Sequence, residues 1–231
     1  MMRKLKKSEI ILLVATVVLL SASYAIRNTS LTKQGFIRCF SNNYNEYVTT
    51  NSLSDPFFIK LALAAEQRTS YKITYDGSYE KIPYPNGDVD RGKGVCTDVV
   101  IRSYREVGVD LQKLIHLDMK KNFISYPKIW RKLITDTNID HRRVPNQMTF
   151  FRRNGFQLPI TRDPADYNPG EIVAWDFGNG LMHIGIVSTQ LFHDEITPLI
   201  VHNIGRGPEI SNILFSYPII GHFKYKKSNK K

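Results

Sequence analysis

Over residues 55–67 the apolar side chains Phe58, Leu61, Ala64 and Ala65 recur at the spacing of an amphipathic helix that lays one face on a core. Residues 71–75 alternate as a strand does, and Asp76-Gly77 stops them. Two prolines and Asn86-Gly87 make 83–88 a loop. After Cys96, the residues Val99, Val100, Tyr104 and Val107 return to helical spacing, with Arg102, Arg105 and Glu106 on the other side and Gly108 placed to end the helix. The middle, 111–155, reads as helix and loop, with Val144-Pro145-Asn146 opening an aromatic-rich helix through Phe150 and Phe151. Strands are predicted over 171–175, 183–187 and 198–204, the first two joined by a hairpin at Asp176-Phe177-Gly178-Asn179-Gly180, and further strands over 213–217 and 219–225. Helices first and a meandering antiparallel sheet afterwards predict an α+β domain over 56–226. Residues 26–55 lack sustained periodicity and read as a tether or loosely packed arm.

The N-terminus changes this picture. Arg3, Lys4, Lys6 and Lys7 precede an apolar run over 10–20, and Ser23 and Ala25 supply small residues for cleavage after Ala25. Residues 1–25 therefore read as a signal peptide. An uncleaved membrane anchor is the alternative, although the run falls short of the roughly 20 residues a spanning helix needs. The expectation is an exported protein, periplasmic or secreted, or held at the membrane by its N-terminus. The chain carries a formal net charge of +11, and it stays basic once the leader is removed. Such a charge suits anionic envelope polymers or lipid headgroups. Nucleic acid is not expected as a partner, because no binding motif is present, and the basic tail at 227–231 reads as solvated. Of the two cysteines, Cys39 lies in a polar stretch and reads as an incidental free thiol. A Cys39–Cys96 bridge is open to an exported chain and would silence the thiol.

Cys96 ends the glycine-bearing segment Gly92-Lys93-Gly94-Val95 and starts a helix, where free N–H groups favour thiolate over thiol. His183 and His202 follow in two strands, and a thiol, a base and an orienting group in that order fit a cysteine hydrolase. Alternation sends His183, Gly185 and Val187 to one face of their strand, so His183 serves as base if the cysteine helix packs on that face. An antiparallel pairing of the next strand sets His202 beside it. In the polar island Asp140-His141-Arg142-Arg143, the paired arginines are able to clamp a carboxylate, and an internal salt bridge from Asp140 is the equal alternative. His141 is a lesser candidate for third member.

These residues resemble the NlpC/P60-type papain-like cysteine peptidases of the bacterial envelope. More narrowly, the chain from about 61 to 225 resembles the DUF1287 family. The segments that carry this are Ile73-Thr74-Tyr75-Asp76, Pro83-Tyr84-Pro85-Asn86-Gly87-Asp88, Gly94-Val95-Cys96-Thr97-Asp98, Asp140-His141-Arg142-Arg143-Val144-Pro145-Asn146, Gly170-Glu171-Ile172-Val173, His183-Ile184-Gly185-Ile186-Val187 and His202-Asn203-Ile204-Gly205. The resemblance implies a papain-like fold and peptidoglycan peptides as substrate, with Cys96 as nucleophile, His183 as base and His202 as third polar member. It places Tyr84 as the active-site tyrosine. Where the NlpC/P60 pattern has an acidic residue before the cysteine and a serine after it, this chain has Val95 and Thr97, with Asp98 one step on. Asp98 is expected to cap the helix or to bind substrate, beside Arg142 and Arg143.

No cofactor or metal is called for. The competing readings are a zinc hydrolase built on Cys96, His183 and His202 and a non-catalytic envelope or peptidoglycan-binding module.

Overall fold

Asp55 accepts a hydrogen bond from the Phe57 amide at 2.9 Å, and Pro56 stands in the first turn, where its missing N–H is not needed. Helix α1, Pro56–Gln67, follows from this start. The computed structural model describes residues 55–227. The leader, the arm up to residue 54, Cys39 with its candidate bridge, and the tail from 228 lie outside the described residues. Helix α2 runs Cys96–Glu106. Its N-cap residue, Val95, has no side-chain acceptor, and the Asp98 carboxylate reaches back instead to the Val95 amide at 2.7 Å. Gly108, at φ +80, turns the chain after it. Helix α3, Leu111–Lys121, is capped by Asp110, and α4 runs Val144–Asn154 with Pro145 in its first turn. Among the described residues no helix is long and apolar enough to cross a membrane.

Strands β1, Thr74–Tyr75, and β2, Lys93–Gly94, form a short parallel pair. The main sheet holds β3 (Phe156–Gln157), β4 (Ile172–Asp176), β5 (Met182–Leu191), β6 (Pro198–Asn203), β7 (Pro208–Ser211) and β8 (Ile219–Lys224). Its order is β3-β8-β4-β5-β6-β7, with every neighbouring pair antiparallel. The period of two splits the core. Ile172, Ala174, Ile184, Ile186 and Val201 pack with α2 and α4 through Cys96, Val99, Tyr104 and Phe151. Val173, Trp175, Val187 and Ile200 face the other way, onto Tyr167 and Leu214.

The α+β class and the helix-then-sheet order agree with the sequence pattern, and local differences have local causes. Residues 213–217 form a turn rather than a strand. Leu214 is buried there, and its carbonyl accepts from the Trp175 indole at 2.9 Å, so the apolar run serves as a plug for the second face. Strand β7, not among the expected strands, opens on Pro208. Proline is tolerated there because it is the first residue of an edge strand.

Candidate functional site

Cys96 takes the first position of α2 and is only 4% exposed. Burial is the largest influence on its thiol. Against it work the main-chain N–H of Ile184 and, more weakly, those of Thr97 and Cys96 itself, while the nearby Asp98 charge adds to the burial. Burial wins, and the thiol is pushed up to about 12. The expected thiolate at the helix start is thereby corrected: a few amide donors do not offset the loss of solvent around a buried sulfur. Native Cys96 is accordingly expected to alkylate with iodoacetamide at pH 8 at least roughly tenfold more slowly than in the urea-unfolded chain. Peptide mapping by mass spectrometry separates it from Cys39, and equal native and unfolded rates would contradict the buried thiol.

His183 and His202 do meet. His183 Nε2 lies 3.1 Å from His202 Nδ1, and His202 Nε2 lies 2.6 Å from Ser211 Oγ. Gly185 makes room for this: a Cβ there would stand 2.7 Å from Ile200 Cγ2 and 3.2 Å from His202 Cβ. Phe177 stacks on the His183 ring at 4.7 Å. Burial holds both rings neutral, pushing His183 down to about 3 and His202 to about 4. A neutral ring carries one N–H. With that proton on His202 Nε2 and donated to Ser211, His202 Nδ1 accepts from His183 Nε2, and His183 Nδ1 is left as a free lone pair.

The expectation that the cysteine helix packs on the histidines' face is also corrected. Cys96 belongs to the cluster of Ile184 and Ile186, the side chains that alternate with His183. The thiol meets β5 at the main chain of Ile184, the residue after His183. Among the described residues no hydrogen bond joins the sulfur to either imidazole.

The tyrosine beside the thiol is Tyr75, 44% exposed, whose hydroxyl is raised to about 12, first by loss of solvent and then by its neighbours Cys96 and Asp98. Pairing of β1 with β2 sets Tyr75 opposite Gly94, two residues before the cysteine. Tyr84 is elsewhere, 40% exposed and packed edge-on against His116 at 5.1 Å. The Ile73-Thr74-Tyr75-Asp76 segment carried a signal for Tyr75 that sequence reading left unused. Asn203, fully buried beside His202, was missed as well; it donates to the Gly94 carbonyl at 3.3 Å and ties β6 to the cysteine loop.

The other residues expected at the substrate are engaged internally, as in the cap and salt-bridge alternatives. Arg142 grips Asp98 through two bonds of 2.9 Å, both side chains almost wholly buried. It also donates to the carbonyls of Ser78 and Asp76 at 3.1 and 3.2 Å. Arg143 pairs with Asp140 at 3.0 Å and lies over the Trp130 ring at 4.0 Å. No guanidinium of the pair is left to clamp a carboxylate, and Asp98 acts as cap and counter-ion. His141 is buried in the turn Asp140–Arg142, and His202 fills the third place next to His183. Among the described residues, no group of three or more His, Cys, Asp or Glu side chains is arranged to hold a metal.

Compared with known proteins, residues 62–225 match a family described as a domain of unknown function, DUF1287. A relative from Escherichia coli (strain K12), Uncharacterized protein YijF, is 47% identical over 167 residues, which cover 72% of this chain and 81% of that protein. No solved structure matches.

Proposed function

The chain belongs to the DUF1287 family, and from that premise we propose that it is an exported cysteine hydrolase, akin to the papain-like NlpC/P60 peptidases, that cleaves an amide bond in peptidoglycan peptides. The observation that carries this reading is the His183–His202–Ser211 chain of contacts, which leaves the His183 lone pair on Nδ1 when His202 donates to Ser211, in the residue next to Ile184, whose amide lies against the Cys96 sulfur. Thiol and imidazole both start neutral, so the reaction begins with transfer of the Cys96 proton to His183 Nδ1 as sulfur attacks the carbonyl. The sulfur and the His183 ring lie on alternate faces of β5, so this reading requires the start of β5 to twist as the substrate carbonyl enters, bringing Sγ and Nδ1 within hydrogen-bond reach. The Cys96 N–H and the Tyr75 hydroxyl are the donors for the oxyanion. His183 then gives its proton to the leaving amine. Water, deprotonated by the same ring, hydrolyses the thioester and restores the thiol.

The test is digestion of purified sacculi, with mass spectrometry of the released fragments. Release by the wild-type chain is expected, and it should persist as pH is lowered through the ordinary imidazole value of about 6.5, because a base held near 3 stays neutral there. The buried thiol and its missing bond to histidine favour a second reading, a non-catalytic peptidoglycan-binding module. Co-sedimentation with sacculi without release of any fragment would establish that reading and sink the first.

A further inference from the structure

Between α3 and α4 the chain exposes apolar side chains in a way found nowhere else in so short a stretch of the described residues. Ile124 is 92% exposed, Ile129 64%, Leu133 90% and Ile134 77%. Aliphatic residues this bare are not plugging the protein's own core. The segment is irregular apart from the turn Phe123–Ser125, so these side chains do not form a helix face awaiting a partner helix. The charge around them is of one sign. Lys128, Arg131 and Lys132 alternate with the aliphatic residues, Lys120 and Lys121 close α3 beside them, and no acidic residue occurs from 119 to 135. The flanking acids are engaged: Asp118 with Tyr126 at 2.7 Å and Arg153 at 2.9 Å, Asp136 with Asn138 at 2.9 Å. Trp130, half-buried beneath the Arg143 guanidinium, sits in the middle of the stretch.

Aliphatic tips, a tryptophan at their base and a cationic collar match the layers of a bilayer surface: acyl boundary, interface and anionic headgroup. A protein partner would need acidic and apolar groups in matching alternation; a lipid surface supplies both at every point. We propose that residues 123–134 dock the domain on an anionic lipid bilayer, with Ile124, Ile129, Leu133 and Ile134 entering the headgroup boundary and the lysines and Arg131 binding lipid phosphates. This contact is independent of the chemistry at Cys96, and of whether residues 1–25 remain attached.

The chain reports on this contact itself. It has two tryptophans, and none lies in residues 1–25. Trp175 is fully buried, which leaves Trp130 as the tryptophan a lipid can reach. The full chain is mixed with vesicles whose acyl chains carry bromine quenchers, made of phosphatidylcholine alone or of phosphatidylcholine with phosphatidylglycerol. Quenching of tryptophan emission is expected in the anionic vesicles and little or none in the neutral ones, with Trp130→Phe removing it. Neutralising Lys128, Arg131 and Lys132 to glutamine should weaken partitioning about a hundredfold, from about 1 kcal/mol for each cation near such a surface. Leu133→Ser with Ile134→Ser, at exposed positions that the fold does not need, should shift the quenching midpoint to higher lipid by at least about tenfold. No quenching in anionic vesicles, or equal quenching in neutral ones, overturns the proposal. So does concentration-dependent dimerisation, without quenching, that the serine pair abolishes, since it assigns the patch to a second copy of the chain.

Discussion

Cys96→Ser is expected to slow fragment release from sacculi by at least roughly a hundredfold while leaving a folded protein. Serine is close to isosteric with cysteine, suits a helix start, and at position 96 meets the same amides of Ile184 and Thr97. What it loses is chemistry. A neutral imidazole accepts a proton from a thiol far more readily than from an alcohol, and in this mechanism His183 is the only base assigned to take it. Two companion variants separate the histidines: His183→Ala should lose release as fully as Cys96→Ser, whereas His202→Asn keeps an acceptor for the His183 N–H and should retain part of it. Circular dichroism on each variant controls for folding. A folded Cys96→Ser protein that works at the wild-type rate would end the mechanism, and mild, equal losses in the two histidine variants would mark both as structural.

The second large effect is on stability. Arg142→Leu leaves the Asp98 carboxylate buried in the first turn of α2 without its cation, and breaking one side of a buried pair costs about 3–5 kcal/mol. The replacement also drops the bonds to the carbonyls of Asp76 and Ser78, which tie the segment after β1 to α2. Joining it to Asp98→Asn removes the stranded charge but keeps an acceptor for the Val95 amide, so the double variant should recover more than half of the loss. Urea unfolding measures all three proteins. A cost below about 1 kcal/mol for Arg142→Leu would place the pair among solvent-screened bridges and reopen Arg142 as a ligand-binding group.

Periodicity revealed most of this fold because helix and strand faces bury different spacings of apolar residues. It failed at 213–217 and left β7 unread, where the deciding facts are a plug for the reverse face and a place at the sheet edge. Both are set by neighbours remote in sequence. In the site, the order Cys96, His183, His202 was legible, and the β5–β6 meander does bring the two rings together. The state of the thiol was not. A helix start argues for thiolate and burial argues against it, and only the packed structure says how much solvent the sulfur has lost. Partner choice was equally hidden. Asp98, Arg142 and Arg143 were readable as ligand-binding groups, and the geometry joins Asp98 to Arg142 and Arg143 to Asp140. Tyr84 is nearer to Cys96 in sequence than Tyr75, and the two-residue ladder of β1 and β2 selects the more distant one by setting it opposite Gly94.

The groups gathered around Cys96 come from places far apart in the chain: Tyr75 before it, then Ile184, and beyond that the relay through His202 to Ser211. A polypeptide emerging from its N-terminus therefore carries the cysteine long before it carries the strand that completes its cover. Until β5 docks on α2, residue 96 is an ordinary solvated thiol, open to oxidants and to stray disulfide exchange. Closing the meander is what makes it quiet. The hazardous interval for this chain is its own assembly, and the speed with which its distant strands find one another sets how long that interval lasts.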